Sequence, residues 1–122
     1  MEEMFTAGLA ARREVLGEEY VDRAIANADD FSRPFQEFIT EHCWGDIWTR
    51  PGLPRQTRSL LNIAMLTALA KPTELELHVR GALRNGCTRD EIFETLLQAT
   101  VYCGVPAGVE AMRAAQRAIA DA

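Results

Sequence analysis

Glycine and proline cut this chain into helix-length pieces, and no piece between the cuts alternates long enough to make a strand. Gly17, Arg50-Pro51-Gly52, Pro54, Pro72, Asn85-Gly86 and Gly104-Val105-Pro106 are the punctuation. Glycine readily takes a left-handed conformation that ends a helix, and proline cannot donate to the preceding turn. The cuts predict helices over about 2–16, 18–28, 31–48, 54–70, 73–85 and 88–103, and a last one opened by Pro106. Pro34 is tolerable in a first turn. Two capping boxes are legible: Thr73 with Glu76, and Thr88 with Glu91. Asn85-Gly86 makes a good C-terminal cap. The fold class is therefore all-α, a compact helical bundle, with short connections that favour antiparallel neighbours.

Two of these segments say more. The one from Pro54 to Ala70 is apolar nearly all round, the mark of a central bundle helix. The last carries Val109, Met112 and Ile119 on a narrow stripe among many alanines, so it can pack on both sides, which suggests subunit contacts.

At 122 residues the chain is expected to be one domain, 1–122. A hydrophobic share of 48% and a charged share of 25% read as globular and soluble. The net charge of −5 argues against a general nucleic-acid surface. It leaves room for an anionic substrate held by a local arginine. Met1-Glu2-Glu3 does not resemble a signal peptide. The run from Leu60 to Ala70, interrupted by Asn62 and Thr67, is too short to span a membrane, so a cytoplasmic location is expected. Cys43, Cys87 and Cys103 contain no C-x-x-C and are expected to be ordinary reduced thiols, with no metal site among them.

Chemistry points to the 72–86 segment. Residues four and seven apart share a helix face, so Glu74, His78, Gly81 and Asn85 form one polar stripe, flanked by Leu75, Val79, Ala82 and Leu83. A glycine inside a helix costs about 1 kcal/mol relative to alanine; Gly81 makes sense where something must approach the stripe closely. An imidazole titrates near neutrality and suits proton transfer. His78 is the candidate general acid, and Glu74 either accepts its hydrogen bond, keeping an imidazolium available, or carries the proton itself. The plainer reading makes Glu74 a first-turn residue that complements the helix dipole and His78 a satisfied core histidine. Arg58 opens the most apolar helix, so it either faces inward to grip a carboxylate or lies on the surface. Trp44 and Trp48 share a face and serve packing or form a substrate wall. Glu76 and Arg80 are spaced for a surface ion pair. His42 reads as a surface residue.

Four motifs in order carry a family resemblance. Trp44-Gly45-Asp46-Ile47-Trp48-Thr49-Arg50-Pro51-Gly52-Leu53 resembles the W-G-x-x-W-x-R-P-G-L segment of 4-carboxymuconolactone decarboxylases. Thr57-Arg58-Ser59-Leu60, then Glu74-Leu-x-x-His78-x-Arg80-Gly-Ala-Leu with Asn85-Gly86, then Gln98-x-x-Val101-Tyr102-Cys103-Gly104-Val105-Pro106-Ala107, are similar to the segments that follow. The resemblance spans about 40–112. It implies an alkyl-hydroperoxidase D-like helical subunit in ring-shaped homo-oligomers, trimers or hexamers. It also implies cofactor-independent decarboxylation of a small anionic lactone, 4-carboxymuconolactone, to the enol-lactone of 3-oxoadipate, a step of protocatechuate breakdown in the β-ketoadipate pathway. Catalysis would fall to His78 and Glu74, with Arg58, Trp44 and Tyr102 binding substrate. Thiol peroxidases of the same superfamily use a glutamate, a C-x-x-C and a histidine. Aligned on His78, this chain has Ser59, Lys71 and Glu74 where they have the glutamate and both cysteines. The family's polar residue soon after G-V-P-A, usually asparagine, is missing: Gly108-Val109-Glu110 follows Ala107.

Overall fold

A computed structural model describes residues 2–122, and among them every regular element is a helix. The elements are α1 (Glu2–Leu16), α2 (Glu18–Ala26), α3 (Arg33–Phe38), a π-helix (Ile39–Ile47), α4 (Arg55–Ala68), α5 (Pro72–Arg84), α6 (Arg89–Cys103) and α7 (Val105–Ala120). They group into two compact units, one ending at Leu53 and one running Pro54–Ala122. No helix is long and apolar enough to cross a membrane among the described residues.

In the first unit α1 packs along the π-helix, with α2 and α3 beside them. A single helix was expected over 31–48. Instead α3 gives way after one and a half turns to the wider winding, in which Trp48 N–H reaches back five residues to Cys43 C=O, 3.1 Å. Such windings usually last a single turn; here one persists for nine residues. The two backbones nearly touch: a Cβ on Gly8 would meet Thr40 C=O, and one on Gly45 would meet Met4 C=O. Glycine is needed at both positions because backbone cannot yield. Arg12, fully buried, ties the pair together: its Nη1 donates to Gln36 Oε1 at 2.9 Å and Thr40 Oγ1 at 3.1 Å. Burial lowers the pKa of this guanidinium.

The second unit is a four-helix cluster. α4 lies against α5, α6 and α7, and α7 also packs on α5 and α6. Its core holds Ile63, Leu75, Val79, Ile92 and Leu96 against Ala111, Ala114, Ala115 and Ala118. The alanines of α7 are thus the buried face, while Val109 is exposed and Met112 and Ile119 sit at the core's margin. Small residues on this face let the helix come close. α4 is central to the unit, yet Leu61, Met65 and Leu69 stand exposed on its outer side, so its all-round apolarity is not absorbed within the unit.

Helix ends follow local rules here. Thr88 and Glu91 form the expected capping box, with bonds of 3.0 and 2.8 Å. α5 ends in a Schellman motif, Cys87 N–H to Ala82 C=O and Gly86 N–H to Leu83 C=O. The other expected box is absent. Pro72 takes the first helical position, Lys71 becomes the cap residue, and Thr73 lies inside the helix. Proline has no N–H to leave unsatisfied and its φ is already helical, so it outcompetes Thr73. Gly104, at φ +107°, serves as the last residue outside α6 and the first outside α7. The capless Glu76 turns outward to Arg80 (2.8 Å) and Arg117 (3.3 Å).

Candidate functional site

The polar stripe of α5 faces α4. Asn85 Nδ2 donates to the buried Ser59 Oγ at 2.8 Å. One and a half to two turns earlier on α5, His78 Nδ1 lies 3.5 Å from Asn62 Nδ2. These two contacts fix the register: residues 78, 81 and 85 of α5 lie over residues 59 and 62 of α4. Gly81, between the contacts, is buried. Arg58, half-buried, stands one turn before Asn62 on the same side of α4. Glu76 and Arg80 occupy the opposite side of α5, as their ion pair requires.

Burial dominates the electrostatics. His78 is largely shielded from water, and desolvation lowers its pKa to about 4. The ring is therefore neutral at neutral pH in the free protein. A standing imidazolium, the expectation from the unperturbed pKa, is not what this environment supports. Glu74 is exposed in the first turn of α5, one turn before His78 on the same stripe.

The remaining expected residues are spread more widely. Tyr102, at the end of α6, is 81% exposed. Trp44 belongs to the first unit; it is buried and stacks on Trp48 with ring centroids 4.8 Å apart and planes at 17°. Val109 is exposed near the start of α7. His42 is exposed beside Phe38 and Glu41. Two open concavities of the second unit, about 270 Å³ between α6 and α7 and about 340 Å³ between α4 and α6, are lined by neither His78 nor Arg58. Their apolar linings fit packing surfaces more than acid–base chemistry.

The cysteines are unpaired with one another: Cys43 and Cys103 are exposed and Cys87 is buried, its Sγ 3.4 Å from Gln56 C=O. Among the described residues no group of three His, Cys, Asp or Glu side chains is placed to share a metal ion. The position of the peroxidases' glutamate is filled by Ser59, which is engaged with Asn85.

Asn62 is the residue that sequence reading missed as part of the site. Its signal was there: a carboxamide interrupting the apolar run of α4, where an unpartnered amide is costly.

The model of the carboxymuconolactone decarboxylase family matches residues 33–117. The chain belongs to this family. It is 46% identical over 120 residues to a 4-carboxymuconolactone decarboxylase of Acinetobacter baylyi, covering 98% of this chain and 90% of that one. It is 49% identical over 118 residues to a nitrosuccinic acid decarboxylase of Metarhizium robertsii, covering 97% of this chain and 82% of the other. A 42-residue stretch is 48% identical to a 4-carboxymuconolactone decarboxylase of Pseudomonas putida, covering 34% of this chain and 88% of that one. The family match takes in α3, the π-helix, all of the α4–α5 contact and most of α7.

Proposed function

We propose that this protein decarboxylates 4-carboxymuconolactone to the enol-lactone of 3-oxoadipate, without a cofactor, in the β-ketoadipate pathway of aromatic breakdown. The chain is a carboxy-lyase. The observation that carries the substrate is the 46% identity, over nearly the whole of both chains, to a relative named for that reaction.

The chemistry asks little of the protein beyond placement and charge. The leaving carboxylate sits on a carbon conjugated to the lactone carbonyl. When the C–C bond breaks and carbon dioxide departs, the electron pair moves through the double bond to the carbonyl oxygen. The resulting dienolate then takes one proton at carbon. Catalysis comes from binding this charge distribution better than that of the ground state. Arg58 grips a carboxylate through its planar fork. His78, neutral because it is buried, donates a hydrogen bond to the developing enolate oxygen, the role a neutral imidazole can play without first being charged. Glu74, exposed on the same stripe, relays the solvent proton to carbon. Tyr102, exposed at the end of α6, adds to the substrate's surroundings in a homo-oligomer, a trimer or hexamer in the cytoplasm.

A second substrate has specific support. Nitrosuccinic acid, the substrate named for the 49% identical relative, is also a dicarboxylate with an electron sink beside one carboxylate. Val109 stands where the lactone enzymes are expected to carry a polar residue. Incubation of the purified protein with each acid, followed by carbon dioxide release and ultraviolet absorbance, decides between them. Faster turnover of the lactone supports the first reading, faster turnover of nitrosuccinate supports the second, and no release from either defeats both.

A further inference from the structure

We propose that the first unit holds a binding site for a small monocarboxylate, in a cavity walled by the two side chains that the buried Arg12 fixes. The His78 row belongs to the second unit, and this site does not depend on the decarboxylase reading.

Arg12 is a buried charge without a counter-charge. It is 4% exposed. Its Nη1 donates to Gln36 Oε1 and Thr40 Oγ1, both neutral acceptors. Its Nε, also buried, has no hydrogen-bond partner among the described residues. No carboxylate among them pairs with it. Its electrostatic neighbours are the phenol of Tyr20 and the thiol of Cys43, and burial raises the pKa of that thiol. Burying a cation unpaired is costly, and in surroundings of low dielectric its field acts more strongly than in water. A negative group held nearby offsets that cost.

The adjoining cavity has the donors to hold one. It measures about 130 Å³, and Gln36 and Thr40 both line it. Arginine has no acceptor, so Gln36 must turn its carbonyl to Arg12. The other arm of the carboxamide, Nε2, carries two N–H donors that no described residue accepts. Thr40 has no proton to spare, because its hydroxyl donates to Gln36 C=O at 2.7 Å. Arg33 also lines the cavity. It is bonded to Asp30 at 3.0 Å and to Ala28 C=O at 3.3 Å, and a guanidinium has N–H groups left after two such bonds. Phe5, Ile25 and Ala28 supply an apolar lining. Glu37, exposed at the same cavity, repels a second negative charge and so selects a monoanion.

A carboxylate suits this set better than a halide. Its two oxygens can accept from Gln36 Nε2 and Arg33, and a short alkyl tail can lie against the apolar lining. A water's share of liquid volume is about 30 Å³. The cavity therefore takes about four or five non-hydrogen atoms, the size of acetate or propionate.

The test is a nitrogen-15 NMR titration of the full protein with sodium propionate, acetate and chloride in turn. Ionic strength is held constant with sodium sulfate, a dianion. Saturable shifts are expected at the Gln36 side-chain amide, at Arg12 Nε–H and at the backbone amides of 36–40, with none along α4–α7. Propionate should bind up to about fourfold more tightly than acetate, the worth of one buried methylene, and chloride should be weakest. Arg12→Met replaces the buried cation by an apolar group, a change that folds often tolerate. It should weaken propionate by about tenfold or more. Gln36→Glu supplies the missing negative charge from the chain itself. It should raise Tm without ligand and weaken propionate at least as much. Shifts that do not saturate, or that spread evenly along the chain, overturn the proposal. So does chloride binding as tightly as propionate, or propionate affinity unchanged in either variant. If Arg12→Met does not fold, the wild-type titration and Gln36→Glu decide. None of these outcomes changes if the protein releases carbon dioxide from neither candidate substrate, so the two readings fail separately.

Discussion

The two units are held together by different means. The unit ending at Leu53 depends on backbone meeting backbone at Gly8 and Gly45 and on a buried arginine that fastens Gln36 and Thr40. The unit Pro54–Ala122 depends on interlocked aliphatic side chains, an alanine face and well-formed helix ends. The first kind of contact has little tolerance, since neither a carbonyl nor a glycine can shift to admit a side chain. The second kind spreads its energy over many small contacts. The candidate acid–base row, His78 with Asn62 and Asn85 with Ser59, is built wholly within the second unit. Its positioning therefore rests on helix pairs whose register a single substitution does not readily disturb.

The largest expected effect tests whether that row is chemical and not merely structural. His78→Ala should lower turnover by about 10²- to 10³-fold, the range for losing one donor to a developing oxyanion. A structural signature accompanies it and has the opposite sign. The pKa of His78 is depressed in the folded protein, to about 4 from 6.5. The unfolded chain then binds more protons than the folded one between those values, so the wild type should lose stability as pH falls from about 6.5 to 4. Above that window His78 makes no pH-dependent contribution. In His78→Ala this part of the slope disappears. Denaturant titrations across the window measure it. A variant with full turnover and a flattened slope would leave His78 as a buried core histidine and place the site elsewhere.

These two regions also differ in how much of each could be read from sequence. In the second unit the local signals and the fold agree: Thr88 and Glu91 cap α6, Gly86 closes α5, and His78 and Asn85, on one face by their spacing, both meet α4. Where a reading failed there, two local signals were competing, as with Pro72 and Thr73. In the first unit the outcome depends on tertiary contact. Nothing in the order of residues 31–48 announces five-residue hydrogen bonds, because the α1 backbone lying against Gly45 is distant in sequence. The protonation state of His78 was hidden for the same reason: side-chain type gives the ordinary pKa, and only packing gives the burial that lowers it.

The next effect in size probes the first unit's intolerance. Gly8→Ala would put a methyl group against the Thr40 carbonyl. Overpacking usually costs about 1–3 kcal/mol, and the upper part of that range is expected because the obstacle is backbone. Hydrogen exchange should locate the loss: amides of α1 and the π-helix exchange faster, while those of α4–α7 keep their protection. Uniform loss of protection along the whole chain would show that the two units unfold as one, and would dissolve the distinction drawn between them.

The smallest effect lies in the second unit, where one helix end breaks a rule that the others keep. α4 closes with the same pair of bonds as α5, Lys71 N–H to Leu66 C=O at 3.0 Å and Ala70 N–H to Thr67 C=O at 3.2 Å. The residue at the turning point is alanine, at φ +55°, the one non-glycine residue with positive φ among those described. An L-residue in this conformation is strained by about 1–2 kcal/mol, because its Cβ crowds the following carbonyl. Replacing it by glycine removes the strain and adds disorder to the unfolded chain, and the second effect offsets much of the first. Ala70→Gly is therefore expected to stabilise the protein by up to about 1 kcal/mol, read as a rise of a few degrees in Tm. Turnover should not change, since Ala70 precedes α5 and lies outside the His78 row. A fall in Tm would mean that the strained alanine is compensated by contacts of its methyl group. In that case even the unit of ordinary helix ends would hold one joint set by tertiary packing, and the contrast between the two units would be one of degree.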